Sequence, residues 1–274
     1  MKIFASMLLS LAIALPAAAQ ADPVALTVGD ATIQFPSEPG YVRVSQAEPR
    51  IFSVAQAALP PSNRLVELFE SSADLARARA GGALQETYFQ VQVARELESR
   101  QISVSDWNDL KPQLTAGMAS ADLDQAIASE ASDSNARMSA ATGKSVAIHY
   151  GKVGQPTIYR QTPMSVSFSM QVPIQITIGG SVQSATMAAA CAMVVVRNKL
   201  IYIYAFSAAT SDASMASLRA SLDRTVDQTT ALNPSDSSVA STGGMDWKSV
   251  GRSAFIGALV AGGIGFFRLL TRKK

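Results

Sequence analysis

Residues Ser165–Ile178 read SVSFSMQVPIQITI, and apolar and polar residues alternate along the stretch. An alternation with a period of two predicts a long β-strand with one apolar face and one solvated face. Pro173 lies on the polar side and has no N–H group to donate to a neighbouring strand, so we expect this strand to lie at a sheet edge or to carry a bulge. The predicted apolar face is Val166, Phe168, Met170, Val172, Ile174, Ile176 and Ile178, and the predicted solvated face is Ser165, Ser167, Ser169, Gln171, Gln175 and Thr177.

Gly179-Gly180 follows this stretch as a two-residue turn, which predicts an antiparallel hairpin. The return strand, Ser181–Val196, is apolar on both faces from Met187 onward, so other elements must cover both faces of the sheet there. A turn at 197–199 leads into a third strand over 200–206. The three strands form an antiparallel meander.

A helix is predicted after the meander. Its apolar residues recur at three- and four-residue spacing, and Ser211 or Asp212 can serve as the N-cap. Asn233-Pro234 ends it. The apolar residues of this helix are Met215, Leu218, Leu222, Val226 and Leu232.

The first half of the chain mixes strands and helices. Strand patterns cover 24–28, 31–35, 65–69, 87–93 and 146–150, and helical patterns cover 51–59, 105–116 and 122–129, with Ser105 as the expected cap of the second helix. The sequence therefore predicts an α+β domain over 22–232, an antiparallel sheet with helices on its faces.

The N-terminus has the pattern of a secretory signal peptide. Lys2 is followed by an apolar stretch over 3–15, by Pro16, and by the small residues of Ala19-Gln20-Ala21. We expect a signal peptide over 1–21 with cleavage after Ala21, and cleavage after Ala19 is a second possibility. An uncleaved signal anchor is the alternative interpretation.

The C-terminus has the pattern of a membrane anchor. A Ser-rich segment predicts a flexible tether over 233–252, and residues 253–270 are apolar except for Arg268. As a helix these residues would extend roughly 27 Å, close to the hydrocarbon thickness of a bilayer. The basic tail, 271–274, predicts a cytoplasmic C-terminus. An amphipathic or buried helix is the alternative.

The predicted anchor contains an interfacial aromatic residue, basic residues near both ends, and a stripe of small residues that would let two anchors pack closely as a homo-oligomer. Together with the signal peptide, it predicts a single-pass protein of the inner (cytoplasmic) membrane whose domain lies on the extracytoplasmic side. The anchor residues are Trp247, Arg252, Gly257, Ala261, Gly265, Arg268, Arg272, Lys273 and Lys274.

Charge and cysteine content exclude some classes of function. Residues 22–247 contain 16 Lys and Arg against 21 Asp and Glu, a net charge of −5, although the whole chain has +2. A negatively charged domain without a basic patch does not predict nucleic-acid binding. Cys191 is the only cysteine and lies in an alanine-rich strand, so we expect it to be a small core residue.

Sequence patterns for catalysis are weak. His149 is the only histidine, and its strand predicts a surface position rather than a metal site or a triad. Residues 142–145, TGKS, resemble the end of a phosphate loop, but Met138 stands where the loop needs glycine, so we interpret them as a turn. The sequence therefore predicts no catalytic, cofactor-binding or metal-ligating residue.

Two hypotheses of function follow from these patterns. The first is a membrane-tethered interaction module whose partners are the lipid bilayer and an envelope protein, docked at an exposed strand edge around Pro173. The second is an envelope hydrolase with a carboxylate site, which spacing alone cannot separate from a solvated acidic face. Its candidate pairs are Asp106 with Asp109, Asp122 with Asp124, and Glu96 with Glu98.

Three segments resemble the PsbP-like superfamily, which includes the extrinsic photosystem II subunit and its Ran-binding relatives. They are ATIQFPSEPGY at 31–41, NRLVELFES at 63–71, and NKLIYIYAFSAATSDASMASLRASLDRTV at 198–226. The resemblance implies an α/β/α sandwich and an accessory, non-catalytic role. It transfers no site residue.

The predicted topology can be tested with protease added outside spheroplasts. Because the basic cluster should stay in the cytoplasm, we expect digestion of the domain and protection of the C-terminal tail. Protection of the whole chain would contradict the prediction.

Overall fold

The computed structural model describes residues 21–80, 87–120 and 123–241. The predicted signal peptide up to Gln20, the tether from 242, the anchor 253–270 and the tail 271–274 lie outside the described residues. Within them, no helix combines the length and the apolar character that a membrane span needs. The strands are β1 (Ala21–Val28), β2 (Ala31–Ser37), β3 (Tyr41–Arg43), β4 (Asn63–Ser71), β5 (Tyr88–Ala94), β6 (Val146–Tyr150), β7 (Thr157–Thr162), β8 (Ser165–Ile178), β9 (Ser181–Val196) and β10 (Lys199–Ser207). The helices are α1 (Val44–Ala47), α2 (Pro49–Ala58), α3 (Ser72–Arg79), α4 (Arg95–Glu98), α5 (Val104–Ser120), α6 (Leu123–Thr142) and α7 (Asp212–Leu232).

The described strands form one large and one small antiparallel sheet. The eight-stranded sheet has the order β3-β4-β5-β10-β9-β8-β6, with β7 also paired to β8, and β1 and β2 form a separate hairpin. The α+β prediction and the antiparallel meander are confirmed. At the two hairpin turns of the meander, both central residues have positive φ, Gly179 and Gly180 in one and Arg197 and Asn198 in the other. Such turns match the right-handed twist of the strands.

Strand β9 is covered on both faces from Met187 onward, as its sequence predicts. Its odd-numbered residues pack in the core beneath α2, α5 and α6. Its even-numbered residues pack in a second core beneath α7 and the β1–β2 hairpin. Alanine at 188, 190 and 192 leaves room for α7 to approach the sheet closely, which explains the alanine-rich sequence of this strand.

The predicted solvated face of β8 is wrong over its first half. Ser165, Ser167 and Ser169 are buried, while Gln171 and Gln175 are exposed. The three serines are as small as the alanines beside them in the sheet, so α7 can pack closely over this part of the face, while β7 pairs with its edge. A hydrogen bond from Arg219 Nε on α7 to Ser169 Oγ, 2.9 Å long, supplies one polar partner.

Strand β8 is also not at an edge. It pairs with β9 along its whole length without a bulge, while β6 and β7 share its other side. Pro173 lies in the interval between the ends of β6 and β7, where the carbonyl of Pro173 accepts a hydrogen bond from Gly151 N at 2.8 Å. The missing N–H of Pro173 costs nothing there, because no strand faces it.

Helix α5 begins at Val104, earlier than predicted, because Ser103 rather than Ser105 caps it. Asp106 N donates to Ser103 Oγ, and Ser103 N donates to Asp106 Oδ2, both at 3.0 Å. This reciprocal arrangement is a capping box with Asp as its acidic member. Helix α6 continues to Thr142, well past the predicted end at 129.

The segment 233–241, predicted as the start of the tether, is held against the domain. The side chain of Asn233 accepts a hydrogen bond from Gln34 N and donates one to Gln34 O. Asn198 N donates to Ser235 Oγ, and Ser241 Oγ donates to the Asp106 carboxylate. A free tether starting at Asn233 is therefore wrong, because these polar side chains find backbone and capping partners on the domain.

Lys199 joins three parts of the chain at the start of β10. Its side chain is only 2% exposed, and Nζ donates to the carbonyls of Glu98 and Arg100 at 3.1 and 3.0 Å. Nζ also forms a 2.7 Å ion pair with Asp30 in the β1–β2 turn. The hydrogen bond from Lys199 and the charge of its ammonium hold the pKa of the Asp30 carboxyl below its usual value.

Replacing Lys199 with methionine should destabilise the domain by about 2–4 kcal/mol, because buried carbonyls lose their donor. The exposed residue Lys152 provides the control, and Lys152→Met should change stability by less than about 0.5 kcal/mol. Urea denaturation of the two variants and the parent measures both values. Equal stability of Lys199→Met and the parent would show that this cation does not hold the three segments together.

Candidate interaction surface

The β8–β9 hairpin extends beyond the end of β10, the strand that pairs with the other side of β9. Strand β9 has 16 residues and β10 has nine. Pairing with β10 stops at Ala188, opposite Ser207, whereas pairing with β8 continues to Ser181. Residues 181–187 of β9 therefore have a strand partner on one side only within the described ranges. We call residues 165–196 the arm, and the unpaired side of residues 181–187 the open edge.

The direction of the backbone groups along the open edge follows from the register. Val195 N donates to Met164 O on the β8 side, at 2.9 Å, and the β8–β9 register contains no shift. Odd-numbered residues of β9 therefore direct their N–H and C=O groups toward β8. Even-numbered residues of β9 direct their N–H and C=O groups away from β8, toward the side that β10 occupies from Ala188 onward. Val182, Ser184 and Thr186 present their backbone N–H and C=O groups at the open edge.

Two other edges of the sheet are blocked. On the outer side of β6, Asn135 of α6 donates to Ile148 O at 3.1 Å and accepts from Ile148 N at 2.7 Å. Ser139 Oγ accepts from Val146 N at 3.0 Å. At the opposite end of the sheet, β3 has only three residues. Side-chain capping and short edge strands are ordinary ways to prevent pairing with another chain.

Among the residues that the structure describes, none protects the open edge in these ways. No charged residue occurs between Arg160 and Arg197, so the whole arm is uncharged. Residues 181–184 are exposed, and Val182, with 56% of its surface accessible, is the more exposed of the two large hydrophobic residues that lie at the described surface. An accessible, uncharged edge with unpaired backbone groups can add a strand from another chain.

This surface differs from the one that the sequence predicted. The predicted docking edge around Pro173 lies on β8 in the short interval between β6 and β7, where Gly151 N already donates to Pro173 O. The open edge lies one strand away, on β9. A comparison of the hairpin lengths could have located it, because a return strand of 16 residues cannot be matched by a following strand of nine.

The candidate carboxylate pairs do not converge within the described residues. Glu98 is bound to Arg64 at 2.6 Å, and this hydrogen bond holds the pKa of Glu98 below its usual value, while Glu96 is exposed. Asp106 belongs to the capping box of α5, and Asp109 is exposed. Asp122 and the side chain of Asp124 lie outside the described structure.

Sequence reasoning missed a buried carboxylate on β4. Glu67 has no exposed surface, and its oxygens accept from Arg43 Nε at 2.8 Å and from the backbone N and hydroxyl of Ser45 at 3.1 and 2.6 Å. These contacts hold β3 and α1 against β4. The carboxylate is fully used by its partners, so we assign it a structural role.

The remaining candidates are dispersed. His149 is exposed on β6, and Cys191 is buried in the core, where burial raises the pKa of its thiol. Thr142 ends α6, and the chain turns at Gly143, which has a positive φ. In the part of the chain that the structure describes, no group of three or more His, Cys, Asp or Glu residues could hold a metal ion.

Two surface cavities are lined by described residues. One, of about 620 Å³, lies between α6 and β6, and the other, of about 740 Å³, lies beside α5. Neither lining contains an Asp or a Glu among its residues. A glycosidase-type mechanism needs two carboxyl groups in one cleft, so these cavities do not favour the hydrolase hypothesis.

No protein-family model, no curated protein and no solved structure matches this chain. The resemblance to the PsbP-like superfamily stays a prediction, and the functional argument rests on the geometry of the surface.

The direction of the backbone groups at the open edge can be tested with two adjacent prolines. Ser184→Pro removes an N–H that has no partner among the described residues, and edge positions tolerate proline. Ala185→Pro removes an N–H that bonds β8, so it should cost at least about 2 kcal/mol more. Urea denaturation under monomeric conditions compares them. Equal losses would contradict the assigned direction.

Proposed function

We propose that this chain is a membrane-tethered accessory module of the cell envelope, without catalytic activity of its own, that holds a partner protein by strand addition at the open edge. The observation that carries the proposal is the contrast between this edge and the two protected ends of the sheet. The end strands of the sheet are capped or very short, the outer edge of β7 carries the charged residue Arg160, and the open edge is uncharged and accessible, a contrast that favours a role in docking.

The strength of such docking is modest. Three residues offer three donors and three acceptors, and each hydrogen bond contributes about 0.5–1.5 kcal/mol net. The gross gain is then about 3–9 kcal/mol, of which ordering and association consume a large part. Strand addition alone would therefore be weak. A membrane tether supports it by raising the effective concentration of the two partners.

The segments predicted at the two ends of the chain would supply that tether. The signal peptide 1–21 and the anchor 253–270 would place the domain on the extracytoplasmic side of the inner membrane, with the bilayer as the first partner. The net charge of −5 over residues 22–247 gives no support for nucleic acid as a second one.

Complementation of a strain that lacks the gene tests the proposal. Ser184→Pro should abolish complementation at normal protein levels, because proline cannot donate to an added strand. Truncation after Gly244 should also abolish it, because the module would leave the membrane. The control is Gln175→Lys, which changes a side chain on the same face of the arm without removing a backbone donor. This variant should complement.

Three further variants separate the proposal from the hydrolase hypothesis. His149→Ala and Cys191→Ala should complement, because neither side chain has the partners that a catalytic group needs. Asp109→Asn should complement for the same reason. Loss of complementation by Asp109→Asn in a normally folded chain, with Ser184→Pro active, would overturn the docking proposal in favour of a carboxylate enzyme.

A further inference from the structure

We infer that the partner strand at the open edge is the same edge of a second copy of this chain, paired antiparallel across a two-fold axis at Ser184. The inference rests on the proposed function, because it names the partner that the open edge takes. It would extend the eight-stranded sheet into a continuous sheet through two copies.

The boundaries of the open edge select the register. Strand β10 occupies the same side of β9 from Ala188 onward, and the turn at Gly179-Gly180 ends the strand at the other end. A two-fold axis at Ser184 places Ser184 opposite Ser184 of the partner subunit and Val182 opposite Thr186 of the partner subunit. All three residues with outward backbone groups then form hydrogen-bonded pairs. A shift of the axis by one residue in either direction leaves only two of them paired with each other.

Self-pairing also suits the composition of the edge. Around a two-fold axis, residues near the axis meet their own copies, so any charge there would face a like charge. The sequence SVQSATM over residues 181–187 contains none. Its side chains are small or uncharged, and the exposed side chain of Val182 would pack beside the methyl group of Thr186 of the partner subunit.

The symmetry is compatible with anchoring of both copies in one membrane. The two-fold axis of an antiparallel strand pair is perpendicular to the sheet, so each layer of one copy continues as the same layer of the other. In each copy, the described chain ends at Ser241, bonded to Asp106 at the start of α5. The two copies of Ser241 therefore lie in the same layer of the dimer.

Site-specific crosslinking of the full chain in its own membranes tests the inference. In the proposed register, Ser184 lies about 5.5 Å (Cα to Cα) from Ser184 of the partner subunit, within disulfide range. Ser184→Cys should therefore give a disulfide-linked dimer under mild oxidation. The natural Cys191 is buried and is present in every variant.

Two matched controls define the register. Val182→Cys lies on the same edge but would be about 15 Å from its own copy. Gln175→Cys, opposite Ser184 on β8, would be three strand spacings, about 14 Å, from its copy. We expect at least about tenfold more dimer for Ser184→Cys than for either control. Equal crosslinking of all three, or none for Ser184→Cys, would overturn the two-fold pairing.

The outcomes also separate this inference from the proposed function. If Ser184→Cys fails to crosslink while Ser184→Pro still abolishes complementation, the partner is a different protein, and the docking function stands without the dimer. If Ser184→Cys crosslinks in this register while Ser184→Pro complements, the dimer stands, and the proposed function of the edge is wrong.

Discussion

Both faces of β9 are apolar and must be buried, and this requirement determines where most of the other elements of the domain pack. From Met187 to Val196 the strand is buried on each side, with larger side chains toward α2, α5 and α6 and mostly small ones toward α7. Each buried aliphatic side chain contributes about 1.5–3 kcal/mol. Because an exposed face on this strand would forfeit several such contributions, the helices and the β1–β2 hairpin must cover it from both sides.

The same strand stops being buried where its neighbour ends. The six residues 181–186 lie outside the two cores, and serine, glutamine and threonine become frequent there in place of the alanine and valine of the buried part. One strand thus serves first as part of an accessible hairpin and then as the centre of the sheet. Residues that bury well on both faces fix the second part rigidly in the sheet, so the first part projects from a rigid base.

Period-two patterns sufficed to predict the meander, the hairpin turns and the two-sided burial of β9, because those features depend on local composition. The burial of Ser165, Ser167 and Ser169 could not be predicted, because a small polar residue fits equally well on a solvated face of a strand and beneath a closely packed helix. Because proline cannot donate to a neighbouring strand, the sequence predicts that Pro173 lies at an edge or a bulge. In the structure its missing donor is tolerated because β6 and β7 end on either side of it, and the sequence pattern of β8 contains no information about those ends. The docking of 233–241 depends on side chains such as Asn233 and Asn198, whose partners lie far away in sequence.

The central claim is that a strand from another chain occupies the open edge when the protein is in its membrane. Residue-resolved hydrogen exchange of the full chain, in membranes and after dispersion to monomers in detergent, measures this most directly. The account predicts that the amides of Val182, Ser184 and Thr186 are protected in membranes and lose protection in the monomer, while those of Gln183 and Ala185 stay protected in both states. Fast exchange of the three even-numbered amides in membranes as well as in detergent would contradict it.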